Sequence, residues 1–173
     1  SNKIDDVLEG AVTFYVTNLL MELFFNDLIL KFNQIYPKIN INTIECDPLD
    51  GYHIIEKQSN IIGAFPYLPQ IENFKTLHPF IFSKGNFLAL VNNNHPLAKR
   101  KKVSIQELMK QDILCFAKQD FHKTEFFALL APYITNDTVI TTTGNLHAYY
   151  RFVATGKYVC FITEDGYMKQ NTP

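Results

Sequence analysis

Cysteine is sparse in this chain: Cys46, Cys115 and Cys160 are odd in number, far apart and in no CxxC arrangement. That argues against a disulfide framework and suits reduced, buried thiols. Arginine is scarcer still, with Arg100 and Arg151 alone, so a bidentate guanidinium clamp on a carboxylate is hardly available. An excess of positive charge is missing too. Sixteen Lys and Arg face seventeen Asp and Glu for a net charge of −1, which disfavours binding to a phosphate backbone. The longest apolar-rich stretch, from Ala11 to Phe32, is broken by Asn18, Glu22, Asn26, Asp27 and Lys31, so no segment spans a bilayer. The opening Ser1-Asn2-Lys3-Ile4-Asp5-Asp6 lacks the basic and apolar regions of a secretory signal, which makes the cytoplasm the expected compartment. Walker A, GxGxxG, HExxH, GxSxG and zinc-type Cys/His spacings are all absent, leaving neither a cofactor nor a metal to be expected.

What is present is an ordinary folded composition, 47% hydrophobic and 19% charged over 173 residues. A chain of this size buries about 70% of its unfolded surface, in one domain or two small lobes. The first half reads as alternating strand and helix. Ala11–Val16 is β-branched and aromatic, and Leu20, Phe24, Leu28 and Phe32 follow at helical spacing. Ile39–Ile44 then alternates with period two, Leu49–Lys57 is a second helix, and Ile61–Phe65 is a short buried strand. That β-α-β-α-β order predicts parallel strands with helical crossovers. Leu77–Phe82 resumes an extended apolar pattern, and the turn Ser83-Lys84-Gly85-Asn86 after it marks a boundary between lobes. In the second half Phe87–Val91, Ile113–Phe116, Thr138–Thr142 and Tyr158–Ile162 read as strands. Ser104-Ile105-Gln106-Glu107 is a capping box, Lys123–Ala131 is helical, and the helix Asn145–Thr155 ends at Gly156. No residue-level repeat relates the halves.

His53, His78, His95, His122 and His147 are scattered, with no pair on one helical face, so surface or supporting roles are expected of them rather than metal ligation. Cys115 with His122 is the nearest approach to a nucleophile and base, and no third orienting group is in view. Lys99-Arg100-Lys101-Lys102 reads as a solvated loop. Thr17-Asn18 says more: it stands where the first strand ends and the first helix begins, and free N–H groups and the helix dipole there attract carboxylates and phosphates. The pair reads equally as a plain N-cap. Open α/β sheets bind ligands beyond the carboxyl ends of their strands, where Phe65, Cys115-Phe116-Ala117 and Gly144-Asn145 also fall.

The run Leu8-Glu9-Gly10 into a strand, Leu19-Leu20 to Leu28-Ile29 with Phe32 and Tyr36-Pro37, and Ile61-Ile62-Gly63-Ala64 resembles the opening of the effector-binding domain of LysR-type transcriptional regulators. His95-Pro96-Leu97-Ala98 with Val103-Ser104 and Glu107-Leu108 is similar to that family's entry into its second lobe. Phe152-Val153-Ala154-Thr155-Gly156 with Val159 and Phe161 resembles its helix-glycine-strand signature. Asn60 stands where members often have Asp, and Thr163-Glu164 where they often have proline.

The resemblance implies an α/β fold of two Rossmann-like lobes, of the type 2 periplasmic-binding-protein kind. Residues 1–83 would form the first lobe and 84–173 the second. It also implies that a winged helix-turn-helix is absent from this chain and that the return of the chain to the first lobe is missing at its end. The expected function is ligand sensing without enzymatic activity, a small effector between the lobes setting the geometry of DNA-binding arms in a homodimer or tetramer. A solute-binding protein of a transport system is the alternative with the same fold. The expected ligand contacts are Thr17, Asn18, Phe65, Pro66, Ala117 and Asn145. The expected effector is a small anion or carboxylate held by helix N-termini, or a modestly polar neutral molecule. DNA is reached only through the absent domain.

Overall fold

Residues 8–170 are described by the computed structural model. The leader Ser1–Val7 and the end Asn171–Pro173 lie outside them. β1 (Gly10–Val16) is the central strand of a parallel sheet in the order β2-β1-β3, with β2 at Ile39–Glu45 and β3 at Ile61–Ala64. Parallel neighbours need crossovers, and helices supply them. The first is a continuous helical rod: α1 (Asn18–Leu20), a π-helical turn (Met21–Phe25) and α2 (Asn26–Ile35). Its apolar side covers Phe14, Val16 and Ala64 through Leu20, Met21, Phe25 and Ile29.

The second crossover, α3 (Pro48–Lys57), packs by Tyr52 against Leu68, Ile71 and Phe74. Two glycines, Gly51 within α3 and Gly63 in β3, are there for space. A Cβ on Gly51 would lie 2.1 Å from the tip of the Phe65 ring, and one on Gly63 would lie 2.1 Å from Ile55 Cδ1 and 2.5 Å from the same ring. Phe65 is thus wedged against the helix, edge-on to Tyr52 with centroids 5.8 Å apart.

The second lobe holds two strand pairs joined into one layer. β5 (Asp112–Phe116) runs parallel to β6 (Val139–Thr143), and β4 (Phe87–Leu90) antiparallel to β7 (Cys160–Thr163). A parallel bridge between Ile113 and Val159 ties the pairs together. The core beneath them centres on Ile113, Leu114, Cys115, Phe126, Leu130, Tyr149, Val159, Cys160 and Phe161. α5 (Glu125–Leu130) and α6 (Leu146–Ala154) pack on it, while α4 (Ile105–Leu108) opens with both arms of the predicted capping box formed. Gly156 ends the α6 region at φ +76°, the left-handed conformation expected of a C′ glycine.

Two parts of the chain depart from the periodicity. Leu77–Phe82 has the extended apolar pattern but forms no strand; it finds no ladder partner among the described residues, and Phe80 is 87% exposed. After β7 a helix not anticipated from sequence, α7 (Glu164–Gln170), turns back to the π-helical turn of the first lobe. Gly166 permits this approach, since a Cβ there would meet Leu23 Cδ1 at 2.7 Å. The connectors between the lobes run side by side at this place. Glu164 N donates to Asn86 O at 2.9 Å, Asn86 Nδ2 to Glu164 Oε2 at 3.3 Å, and Ser83 Oγ to the Asp165 carboxylate.

Candidate functional site

β1 ends at Val16, and the first residue beyond it is Thr17, 6% exposed at the head of α1. Its backbone has N-cap geometry, φ −78° and ψ 148°, but its hydroxyl makes no capping bond. Thr17 Oγ1 and Asn18 Oδ1 are both buried and have no hydrogen-bond partner among the described residues. A buried polar atom left unpaired costs about 1–3 kcal/mol. The plain N-cap reading therefore does not account for this pair.

Thr17 stands at two cavities between the lobes. The larger, of about 40 Å³, is bounded on the first-lobe side by Leu20, Leu23 and Pro66 and on the other by Phe87, Phe126 and Phe161. One water needs about 10–15 Å³ by this measure, so the space suits a short apolar group. The smaller cavity, of about 10 Å³, has Asn18, Cys46, Asp47, Phe116 and Lys118 in its wall. Thr17, Leu19 and Glu125 belong to both.

Glu125 is the first residue of α5, which Thr124 caps through Oγ1 to Phe127 N at 3.2 Å. The residue is half-buried, yet its carboxyl group is enclosed, and loss of solvent pushes its pKa up to about 7. The nearby charge of Asp47 acts in the same direction, while its own backbone N–H works against it. Near neutral pH this group is poised between acid and carboxylate.

Asp47 joins the lobes. It sits at the N-cap of α3, 4% exposed, but its carboxylate does not cap that helix. Its oxygens accept instead from Lys118 N at 2.7 Å and from Gln119 N and Asp120 N at 2.8 Å each, all in the loop after β5. Successive backbone N–H groups aimed at one point make an anion cradle, and here a side chain of the opposite lobe occupies it. Two ion pairs flank the contact, Lys118–Glu45 at 3.3 Å and Lys123–Asp50 at 2.8 Å.

Of the six residues expected to touch ligand, Thr17 and Pro66 line the larger cavity and Thr17 and Asn18 the smaller. Phe65 lies in the Tyr52 cluster. Ala117 is buried at the end of β5, its carbonyl 2.9 Å from where a Cβ on Gly144 would stand. Asn145 is exposed, and its Oδ1 accepts from Ala148 N at 2.9 Å as the cap of α6. Glu125, Asp47 and the aromatic walls Phe87, Phe126 and Phe161 were not anticipated. A helix-opening acid after Thr124 carries no sign of burial in the sequence, and Asp47 meets its partners 71 to 73 residues away.

The other constellations are not assembled for chemistry. Cys115 is fully buried and its thiol pKa is pushed far up by desolvation, while His122 is exposed and turned to Asp120 at 3.2 Å. Burial also raises Cys160, to about 12, and Cys46, to about 11, so all three are thiols rather than nucleophilic thiolates. No group of His, Cys, Asp or Glu able to hold a metal occurs among the described residues. The Lys99–Lys102 run lies in an exposed loop where Arg100 pairs with Glu107 at 3.3 Å.

Comparison with known proteins bears on this site. Residues 5–168 match the model of the LysR substrate binding domain. No curated protein matches the chain. Among solved structures, the cofactor-binding domain of the Cbl transcriptional regulator superposes with a TM-score of 0.71 at 17% identity, over 100% of this chain and 75% of that one. The regulatory domain of an OxyR2 variant from Vibrio vulnificus gives 0.66 at 14% identity, over 93% and 76%. HinK, a LysR family transcriptional regulator from Pseudomonas aeruginosa, gives 0.64 at 14% identity, over 91% of this chain and 54% of that one. At such identities the superpositions speak for the fold alone.

Proposed function

Because the chain belongs to the LysR substrate-binding domain family, an effector-binding regulatory domain and not an enzyme, we propose that its small-molecule effector is taken up at the paired cavities around Thr17. The observation that carries this reading is the unpartnered oxygen of Thr17, buried where the two lobes meet. Asn18 and Pro66 complete the first-lobe side. Ala117 and Asn145 contribute from the second lobe through the strand end and helix start they hold, and Phe65 supports the wall behind Pro66. The lobes are proposed to divide at residues 83 and 84, beside the paired connectors.

The effector acts by shifting a population. It must bind two relative orientations of the lobes unequally, since equal affinity for both moves nothing. The Asp47 contact offers such a pair of states, made or broken. A homodimer or tetramer that passes the orientation to DNA-binding domains outside this chain, in the cytoplasm, completes the proposal. The family match weighs against the solute-binding alternative, and no helix among the described residues is long and apolar enough to cross a membrane.

A thermal-shift screen of metabolites tests the reading. An effector present at 100 times its Kd stabilises by about 2.7 kcal/mol, a rise of about 5–10 °C for a domain of this size. Loss of that rise in Thr17→Ala supports the site; an unchanged rise refutes it.

A further inference from the structure

The proposal above leaves the chemistry of the effector open, and the two cavities narrow it. Among the described residues, Glu125 is the only charged one in the wall of the larger. The smaller adds Asp47 and Lys118, and the Lys118 ammonium is already paired with Glu45 at 3.3 Å. The next cation, Lys123, is spent on Asp50 at 2.8 Å. The backbone cradle that could hold a carboxylate or phosphate, at residues 118 to 120, is filled by the Asp47 carboxylate. An incoming anion would have to expel Asp47 and then sit beside Glu125.

A cation meets the opposite situation. Besides Asp47, whose carboxylate is already engaged, the residues bordering the smaller cavity include Glu125 and the two with unpartnered oxygens, Thr17 and Asn18. A primary ammonium carries three N–H donors and no acceptor, and a cavity of about 10 Å³ admits a head group about the size of one water. The larger cavity opens on the same wall of Thr17, Leu19 and Glu125 and continues between Leu23, Phe126 and Phe161. A polar notch and an apolar chamber thus border the same three residues.

Resting on the reading of these cavities as the effector site, we infer that the effector is a primary amine with a short alkyl body: its ammonium is held by Glu125, Thr17 and Asn18, and its hydrocarbon part fills the chamber of about 40 Å³ lined by Phe126 and Phe161. Glu125 is the counter-ion, and Thr17 and Asn18 fix the direction of the two remaining N–H bonds. Charge-assisted hydrogen bonds of this kind are the strong ones in an enclosed site. The raised pKa of Glu125 agrees with the geometry, since a buried carboxyl group without a cation gives up its charge.

Isothermal titration calorimetry at neutral pH with three short probes tests the inference: propylammonium, propanoate and 1-propanol. The ammonium is expected to bind most tightly. Glu125→Gln is expected to weaken it by about tenfold or more, and Thr17→Val, which removes only the hydroxyl, by a smaller factor. Far-UV and near-UV circular dichroism spectra that match the native chain's show that both variants remain folded, and that control separates loss of the counter-ion from loss of the fold. Tighter binding of the propanoate, or ammonium binding that both variants leave unchanged, overturns the amine assignment while leaving effector sensing intact. Failure of all three probes to bind overturns the cavities as a site of small-molecule capture.

Discussion

Glu125 shows how much one residue depends on its surroundings. Its carboxyl group titrates near 7 in the folded chain against an ordinary value of 4.5. With the folded value raised, both states are protonated below pH 4.5 and the group is neutral to stability. Between 4.5 and 7 the unfolded chain loses its proton first, so stability falls as pH rises, and above 7 the penalty is complete. The full shift corresponds to on the order of 3 kcal/mol. Urea denaturation from pH 4 to 8 is expected to show this decline in the native chain, and Glu125→Gln is expected to flatten it and be the more stable variant at pH 8. Equal slopes in both would place the titration elsewhere. Thr17 is the complementary case, for its type and place at a strand end are visible in the sequence, whereas the failure of its hydroxyl to cap the helix is a fact of packing.

Among elements, α3 and β3 show spacing and packing dividing the work. The helix is legible from Leu49, Ile54 and Ile55, and β3 from its apolar run. The place of the Phe65 ring is not, because it depends on two glycines twelve residues apart making room for one side chain. Gly51→Ala is expected to destabilise by about 1–3 kcal/mol, as overpacking does. Adding Phe65→Leu should recover part of that loss, and a double-mutant cycle read by denaturant midpoints checks the coupling. The capping box of α4 is the simpler case: Ser104 Oγ accepts from Glu107 N at 3.2 Å and Glu107 Oε2 from Ser104 N at 3.1 Å. Ser104→Ala is expected to cost about 1 kcal/mol, measurable as a lower urea midpoint. Leu77–Phe82 is the converse lesson, since an apolar alternating run becomes a strand only when another strand lies within hydrogen-bonding reach.

At the scale of the whole molecule, Asp47 gives the two lobes a buried polar contact. The flanking Lys118–Glu45 and Lys123–Asp50 pairs are partly exposed, and such pairs contribute at most about 1 kcal/mol each. The Asp47 carboxylate is buried and accepts three backbone N–H groups, so its removal leaves donors without partners unless the lobes part and admit water. Asp47→Ala is expected to enlarge the radius of gyration in small-angle scattering while leaving the far-UV circular dichroism unchanged. An unaltered radius would show that the connectors beside Asn86 and Glu164 set the orientation alone. α7 belongs to the same scale, joining β7 to the π-helical turn that also contributes Leu23 to the larger cavity.

The sequence by itself determined the alternation of strands and helices, the parallel first sheet, the cap at Ser104, the glycine stop at Gly156 and the family. Apart from the family, which came by resemblance, these rest on local periodicity and on backbone chemistry acting within a few residues. Strand ends that converge in an open α/β sheet pointed to Thr17 and Asn18, and the resemblance added Pro66; these three line the cavities around Thr17. Only the tertiary structure decided that Phe65 turns into α3, that Asp47 fills the cradle at residues 118 to 120, and that Glu125 is enclosed. Each of these depends on contacts between distant segments, and burial, which sets both the charge state of Glu125 and the hydrogen-bonding need of Thr17, arises only when those segments pack.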